Sequence, residues 1–152
     1  MGLPHLNLVL AWVWILLGFV SGMLLGLFFH RENWLGGYGS LKRRMYRLGH
    51  ISLFALGAVN LMFYLTVQNS PSSGVLRVAA AAFIAGALTM PICCLLMAHH
   101  PRTHTLFTIP VLSLLTAAVL TLLHIIPAEN GNTLSEHATR KTEDVSPVLP
   151  AR

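Results

Sequence analysis

The feature that most constrains this chain is residues 6–29, where 24 consecutive residues carry no charged side chain. A helix rises about 1.5 Å per residue, so roughly 20 apolar residues cross the hydrocarbon core of a bilayer. Three further stretches reach that length: residues 48–67, polar only at His50, Ser52, Asn60, Tyr64 and Thr66, then residues 78–98 and 106–126. None shows the strict polar–apolar alternation of a barrel wall, and their Leu and Ala content favours helix. The expectation is an all-α integral membrane protein. It is a four-transmembrane-helix bundle over residues 1–127, with helices at about 6–29, 41–67, 76–99 and 105–126, followed by a flexible, disordered tail at 128–152.

Composition agrees. Hydrophobic residues make up 55% of the chain and charged residues 10%, whereas a soluble domain carries about 25% charged side chains. Disorder needs the opposite balance. Cys93 and Cys94 are adjacent and cannot build a disulfide framework. Residues 6–29 lack the basic n-region and small-residue cleavage site of a secretory signal, and the expectation is a permanent helix.

Lys and Arg in short loops set orientation. Arg31, Lys42, Arg43, Arg44, Arg47 and Arg102 fall on one side, against Arg77 near the membrane on the other. The first and third loops are therefore expected in the cytoplasm and both termini outside it. A bacterial cytoplasmic (inner) membrane is the expected location. Trp12, Trp14, Trp34 and Tyr38 lie near predicted boundaries, as interfacial anchors do.

Helices in lipid associate through close backbone approach and polar contacts. Gly18, Gly22 and Gly26 recur at four-residue spacing, and Ala82 with Gly86 forms a similar small strip. These two faces are expected to meet each other, or one of them to meet a partner. Ser40 reads as an N-cap, so the second helix begins near Leu41. Arg43, Arg47, His50, Gly57, Asn60 and Tyr64 then follow at spacings of 4, 3, 7, 3 and 4, which places them on one face turned to the bundle interior. Asn60, at mid-membrane depth, is expected to bond Thr89 or Ser113 on a neighbouring helix.

The chain contains eight histidines. The topology gathers His30, His50, His99, His100 and His104 at the cytoplasmic rim. His50 with His99 or His100 could clamp a b-type haem from two helices; equally, these rings could be interfacial residues without a ligand. Met90, Cys93, Met97 and His100, spaced 3, 4 and 3, share a helix face with the soft ligands that suit Cu(I), although such residues are also ordinary fillers.

Glu32 is the only acidic side chain in residues 1–127. Proton pumps and intramembrane aspartyl proteases need buried carboxylates, and no serine has a base in register, so enzymatic chemistry is not expected. Gly36, Gly37 and Gly39 before a helix start could form a phosphate-holding nest. The simpler reading gives Lys42, Arg43, Arg44 and Arg47 to anionic headgroups, and excludes nucleic acid as a partner. The function expected is an accessory or assembly subunit of a larger membrane complex, with partner subunits. The alternatives are a haem- or metal-binding electron carrier and a small transporter.

Overall fold

The computed structural model describes residues 2–71 and 73–145, with residue 101 and residues 127–145 described by their backbone alone. It is all-helical among these residues. Helix α1 spans Leu3–Phe29, α2 Leu41–Val67, α3 Gly74–His99 and α4 Thr108–Val145, with short 3-10 turns at Trp34–Gly36 and Pro101–Phe107. Four stretches, Leu3–Phe29, Leu41–Val67, Gly74–His99 and Arg102–Ile126, are long and apolar enough to cross a membrane.

Local chemistry sets the helix starts. Ser40 Oγ accepts the Arg43 backbone N–H at 3.2 Å, and Ser73 Oγ accepts that of Leu76 at 3.2 Å, so each satisfies a first-turn donor that the helix leaves free. Pro4 stands at the start of α1, where its missing N–H costs nothing. The far end of α4 departs from expectation: the helix passes Pro127 and continues to Val145. Pro127 removes a single i→i−4 bond, and Ala128, Glu129, Glu136, Ala138, Arg140 and Lys141 are adequate helix formers. Lack of apolar periodicity decides what a segment packs against, not whether it coils. Residues 146–152 of the expected tail lie outside the described residues.

Consecutive helices pack antiparallel. Asn7 meets Asn60 across α1 and α2, Phe63 meets Phe83 across α2 and α3, and Ser113 Oγ donates to the Ala82 carbonyl at 2.7 Å across α3 and α4. α1 and α3 run parallel. Asn7 reaches Ala80 and Trp14 reaches Ala87, both 73 residues away. The extensive contacts of α4 are with α3, so three mutually packed helices carry the fourth on one flank. The core lies toward the chain-terminal end, where Phe63, Val67, Leu76, Ala79, Ala80, Phe83 and Ala117 form one buried cluster.

Small residues work at these contacts, with partners other than those expected. A Cβ on Gly18 would lie 2.9 Å from the Phe54 ring and one on Gly22 2.8 Å from His50, both on α2; at Gly26 nothing lies within 4 Å. Gly86 faces Leu114 of α4, where a Cβ would come within 2.6 Å. The glycine face of α1 and the Ala82–Gly86 strip therefore do not meet. The bulkier neighbours are the aromatic rings of α2 and the leucine of α4, and glycine makes room for them.

Candidate functional site

Arg43, Gly57 and Asn60 of the α2 stripe are buried and His50 and Tyr64 half-buried, and from His50 onward the stripe faces α1. Arg47, expected on the same inward face, is exposed near the helix start, where its cation keeps its water. Tyr64 meets the His5 ring edge-on at 6.2 Å, Gly57 lies against the Ala11 carbonyl and Ile15, and Asn60 Oδ1 accepts from Asn7 Nδ2 at 2.9 Å. Asn7 Nδ2 also donates to the Ala80 carbonyl at 3.2 Å, while Asn60 Nδ2 donates to Leu56 of its own helix at 2.8 Å. The expected partners of Asn60 are engaged elsewhere: Thr89 bonds Ala85 within α3, and Ser113 bonds Ala82. The Asn7 amide is the shorter reach and ties three helices at one depth.

A second link uses a backbone acceptor that proline supplies. Pro91 lies inside α3 and has no N–H to return to the Ala87 carbonyl four residues earlier. Trp14 Nε1 of α1 donates to that carbonyl at 3.1 Å. In an apolar medium an unbonded carbonyl is expensive, and the indole satisfies it. A weaker contact of this kind joins α3 to the turn before α4, where the Leu106 carbonyl accepts from Cys93 Sγ at 3.5 Å.

Beyond the Trp14 link, α1 and α3 separate over the floor provided by α2, leaving two adjoining hollows. The first, about 410 Å³, is walled by Leu24, Leu25 and Phe28 of α1, by Trp34, and by Pro91 and Leu95 of α3, with Tyr46, Gly49, His50 and Leu53 beneath. The second, about 420 Å³, shares Ser21, Leu24, Leu53, Pro91 and Leu95 with it and extends along Leu17, Val20, Leu88 and Ile92. Among the described residues none of α4 lines either hollow, so the cleft opens sideways between α1 and α3. Volumes of this order suit a small ligand.

His50 is the one histidine on its floor. Ser21 Oγ donates to the Gly18 carbonyl at 3.0 Å and stands 3.0 Å from His50 Nδ1. In the tautomer where Nδ1–H donates to Ser21 Oγ and the hydroxyl donates on to Gly18, Nε2 carries a lone pair and can accept. Among the described residues Nε2 has no hydrogen-bond partner, and it is not sealed from its surroundings. Phe54 holds the ring edge-on at 5.4 Å, and Gly22 lets it approach α1.

The residues of the expected ligand sets turn to different neighbours. His99 donates from Nδ1 to Leu95 of its own helix at 3.0 Å and packs edge-on against Tyr46, and His100 is exposed, whereas His50 is turned to α1. Met90 and Met97 are half-buried, Cys93 is turned to Leu106 and His100 ends the helix exposed. Among the described residues no group of three or more His, Cys, Asp or Glu side chains is placed to hold a metal ion.

The basic collar divides. Lys42, Arg44 and Arg47 are exposed. Arg43, expected among headgroups, is 1% exposed. Its guanidinium lies 3.8 Å from the Tyr38 ring, 4.5 Å from Phe29 and 5.8 Å from Trp34, and Nη2 donates to the Phe29 carbonyl at 2.7 Å. Aromatic faces take the place of the counter-ion this acid-poor chain lacks. The glycine loop that carries these rings has three successive positive φ values, Leu35 at 55°, Gly36 at 86° and Gly37 at 88°. Its Gly36 and Gly37 amides bond Asn33 and Trp34 within the turn, so they are not free to form a phosphate nest.

No protein-family model, curated protein or solved structure matches this chain. What it does must be argued from its own geometry.

The structure also contains contacts absent from the sequence reading. Asn7, Ala11, Trp14, Gly18 and Ser21 recur at spacings of 4, 3, 4 and 3 along α1. That seam was legible as a period of about 3.5, and it carries the links to α2 and α3.

Proposed function

We propose that the protein is an integral membrane protein of a bacterial cytoplasmic membrane, with both termini outside the cytoplasm. In this reading it serves a larger complex as a non-catalytic accessory subunit, holding a small apolar molecule in the α1–α3 cleft. The observation that carries the proposal is the cleft itself. Two parallel helices are clamped at Ala80 and Ala87 and then part, leaving adjoining hollows of about 410 and 420 Å³ with an unpartnered histidine acceptor beneath. The spans carry no acidic side chain, which argues against carboxylate-coupled transport. Exposed Lys42, Arg44 and Arg47 beside the Arg43 lock fit an anionic cytoplasmic leaflet.

The test is extraction of the protein from its native membrane in mild detergent, followed by solvent release and mass spectrometry of small molecules. One compound class should accompany the chain near one-to-one, with the partner subunits co-purifying. A Leu53→Trp variant, which fills the cleft floor, should release it. A chain that carries nothing, or a load unchanged by Leu53→Trp, would overturn the proposal.

A further inference from the structure

We infer that the cleft takes a ring-hydroxylated lipid, a hydroquinone or phenol bearing an apolar tail, whose hydroxyl donates to His50 Nε2. This inference rests on the cleft reading above and names its ligand. The two hollows differ in character. The one beneath Trp34 is bounded by Phe28, Trp34 and Tyr46 and contains His50; its neighbour is bounded by Leu17, Val20, Leu88 and Ile92 beside Trp14. Aromatic walls favour a planar head through offset or edge-on stacking, and aliphatic walls favour a chain. The shared residues, Ser21, Leu24, Leu53, Pro91 and Leu95, make the passage from head to tail continuous.

Hydrogen-bond direction selects among such molecules. We take the tautomer in which His50 Nδ1–H donates to Ser21 Oγ while the hydroxyl donates to the Gly18 carbonyl, which leaves Nε2 with a lone pair. A quinone offers only carbonyl acceptors, which repel that lone pair, while the reduced quinol offers O–H. A site built to accept a hydrogen bond rejects the analogue that cannot give one, since its polar group is then left unpaired. Tyr46, one helical turn from His50 on the same wall, is the second polar group of the head site.

The experiment uses the full chain in nanodiscs with three probes: a benzoquinol with a decyl tail under anaerobic reduction, the corresponding quinone, and decanol. Binding is followed by tryptophan fluorescence quenching. The quinol should bind saturably and about tenfold more tightly than the quinone. His50→Phe should abolish that preference. Ser21→Ala, which keeps the ring and frees its tautomer, should reduce it to less than about threefold and serves if His50→Phe fails to fold. Equal binding of the three probes, displaced by Leu53→Trp, would leave the cleft as a ligand site and overturn the hydroquinone assignment. No binding of any probe would overturn both. A Soret band in the native protein that is lost in His50→Phe would assign Nε2 to haem iron and also overturn the inference.

Discussion

The Trp14–Ala87 link makes a prediction that depends on a proline two helices away in sequence. Trp14 Nε1 donates to the Ala87 carbonyl at 3.1 Å because Pro91 gives that carbonyl no helical N–H. Replacing Trp14 with Phe should therefore remove one interhelical bond, worth about 0.6–1.7 kcal/mol in a membrane, and strand a carbonyl, at about 1–3 kcal/mol. The two effects overlap, and a loss of about 2–3 kcal/mol is expected. In a Pro91→Ala background the carbonyl regains its intrahelical partner, so Trp14→Phe should cost no more than about 1 kcal/mol. The indole's packing contribution is common to both backgrounds and cancels in the cycle, leaving a coupling of about 1–2 kcal/mol. Unfolding equilibria of the four proteins, by steric trapping in bicelles or by SDS titration in mixed micelles, would measure it. Equal costs in both backgrounds would refute the idea that proline creates the acceptor.

Asn7→Leu should destabilise by about 2–3 kcal/mol, since it removes the bonds to Asn60 and Ala80 and leaves the Asn60 oxygen buried alone; Asn7→Leu with Asn60→Leu should cost less than the two single changes added together, as read by the same unfolding assay. Arg43→Lys keeps the charge but loses the guanidinium face on Tyr38 and the single Nη2 bond to the Phe29 carbonyl, so tryptic cleavage at Arg31 should rise about tenfold with topology unchanged. Gly86→Ala places a methyl against Leu114 and should cost about 1–3 kcal/mol, recovered in part by Leu114→Ala, whereas Gly26→Ala meets open space and should be neutral or stabilising by up to about 1 kcal/mol in thermal unfolding. Single cysteines at positions 42 and 102 should be labelled from one side of the membrane and one at position 70 from the other; labelling of 42 and 102 from opposite sides would contradict the proposed orientation.

Much of the helical plan was legible because it depends on quantities local to the chain. Length and lack of charge locate α1 and α3 to within a few residues, and Ser40 sets the start of α2 through its own side-chain oxygen. The inward turn of Gly57 and Asn60, and of Arg43 as a member of the stripe, followed from spacing alone, whereas Arg47 on the same face is exposed. Their partners did not, because periodicity reports which face is buried and not what covers it. Gly18 and Gly22 were expected to admit a small-residue strip, yet they admit Phe54 and His50, and only the crossing geometry distinguishes the two. The second expectation for Arg43, a place among the headgroups, fails for a related reason. A cation next to a membrane boundary is ordinarily solvated, and the rings that enclose it arrive from α1 and from a loop whose positive φ values at Leu35, Gly36 and Gly37 no local propensity specifies.

The polar contacts between the helices point in one direction when taken together. With no acidic side chain in the spans, the helices are joined by neutral donors and by carbonyls: Asn7 on Asn60 and Ala80, Trp14 on Ala87, Ser113 on Ala82, Cys93 on Leu106. Each of these donors has its acceptor within the fold, as an apolar medium requires. His50 is different. Its Nδ1 side is anchored like the others, at Ser21, but Nε2, on the ring edge that approaches Gly22, has no hydrogen-bond partner among the described residues, and the ring lines the hollow. A residue held only for packing at that point needs no ring nitrogen there, since Phe54 beside it already supplies an aromatic face to Gly18. An imidazole with one nitrogen anchored and the other without a partner has capacity for one more hydrogen bond, and that capacity, beside a hollow, separates His50 from the histidines of the exposed rim.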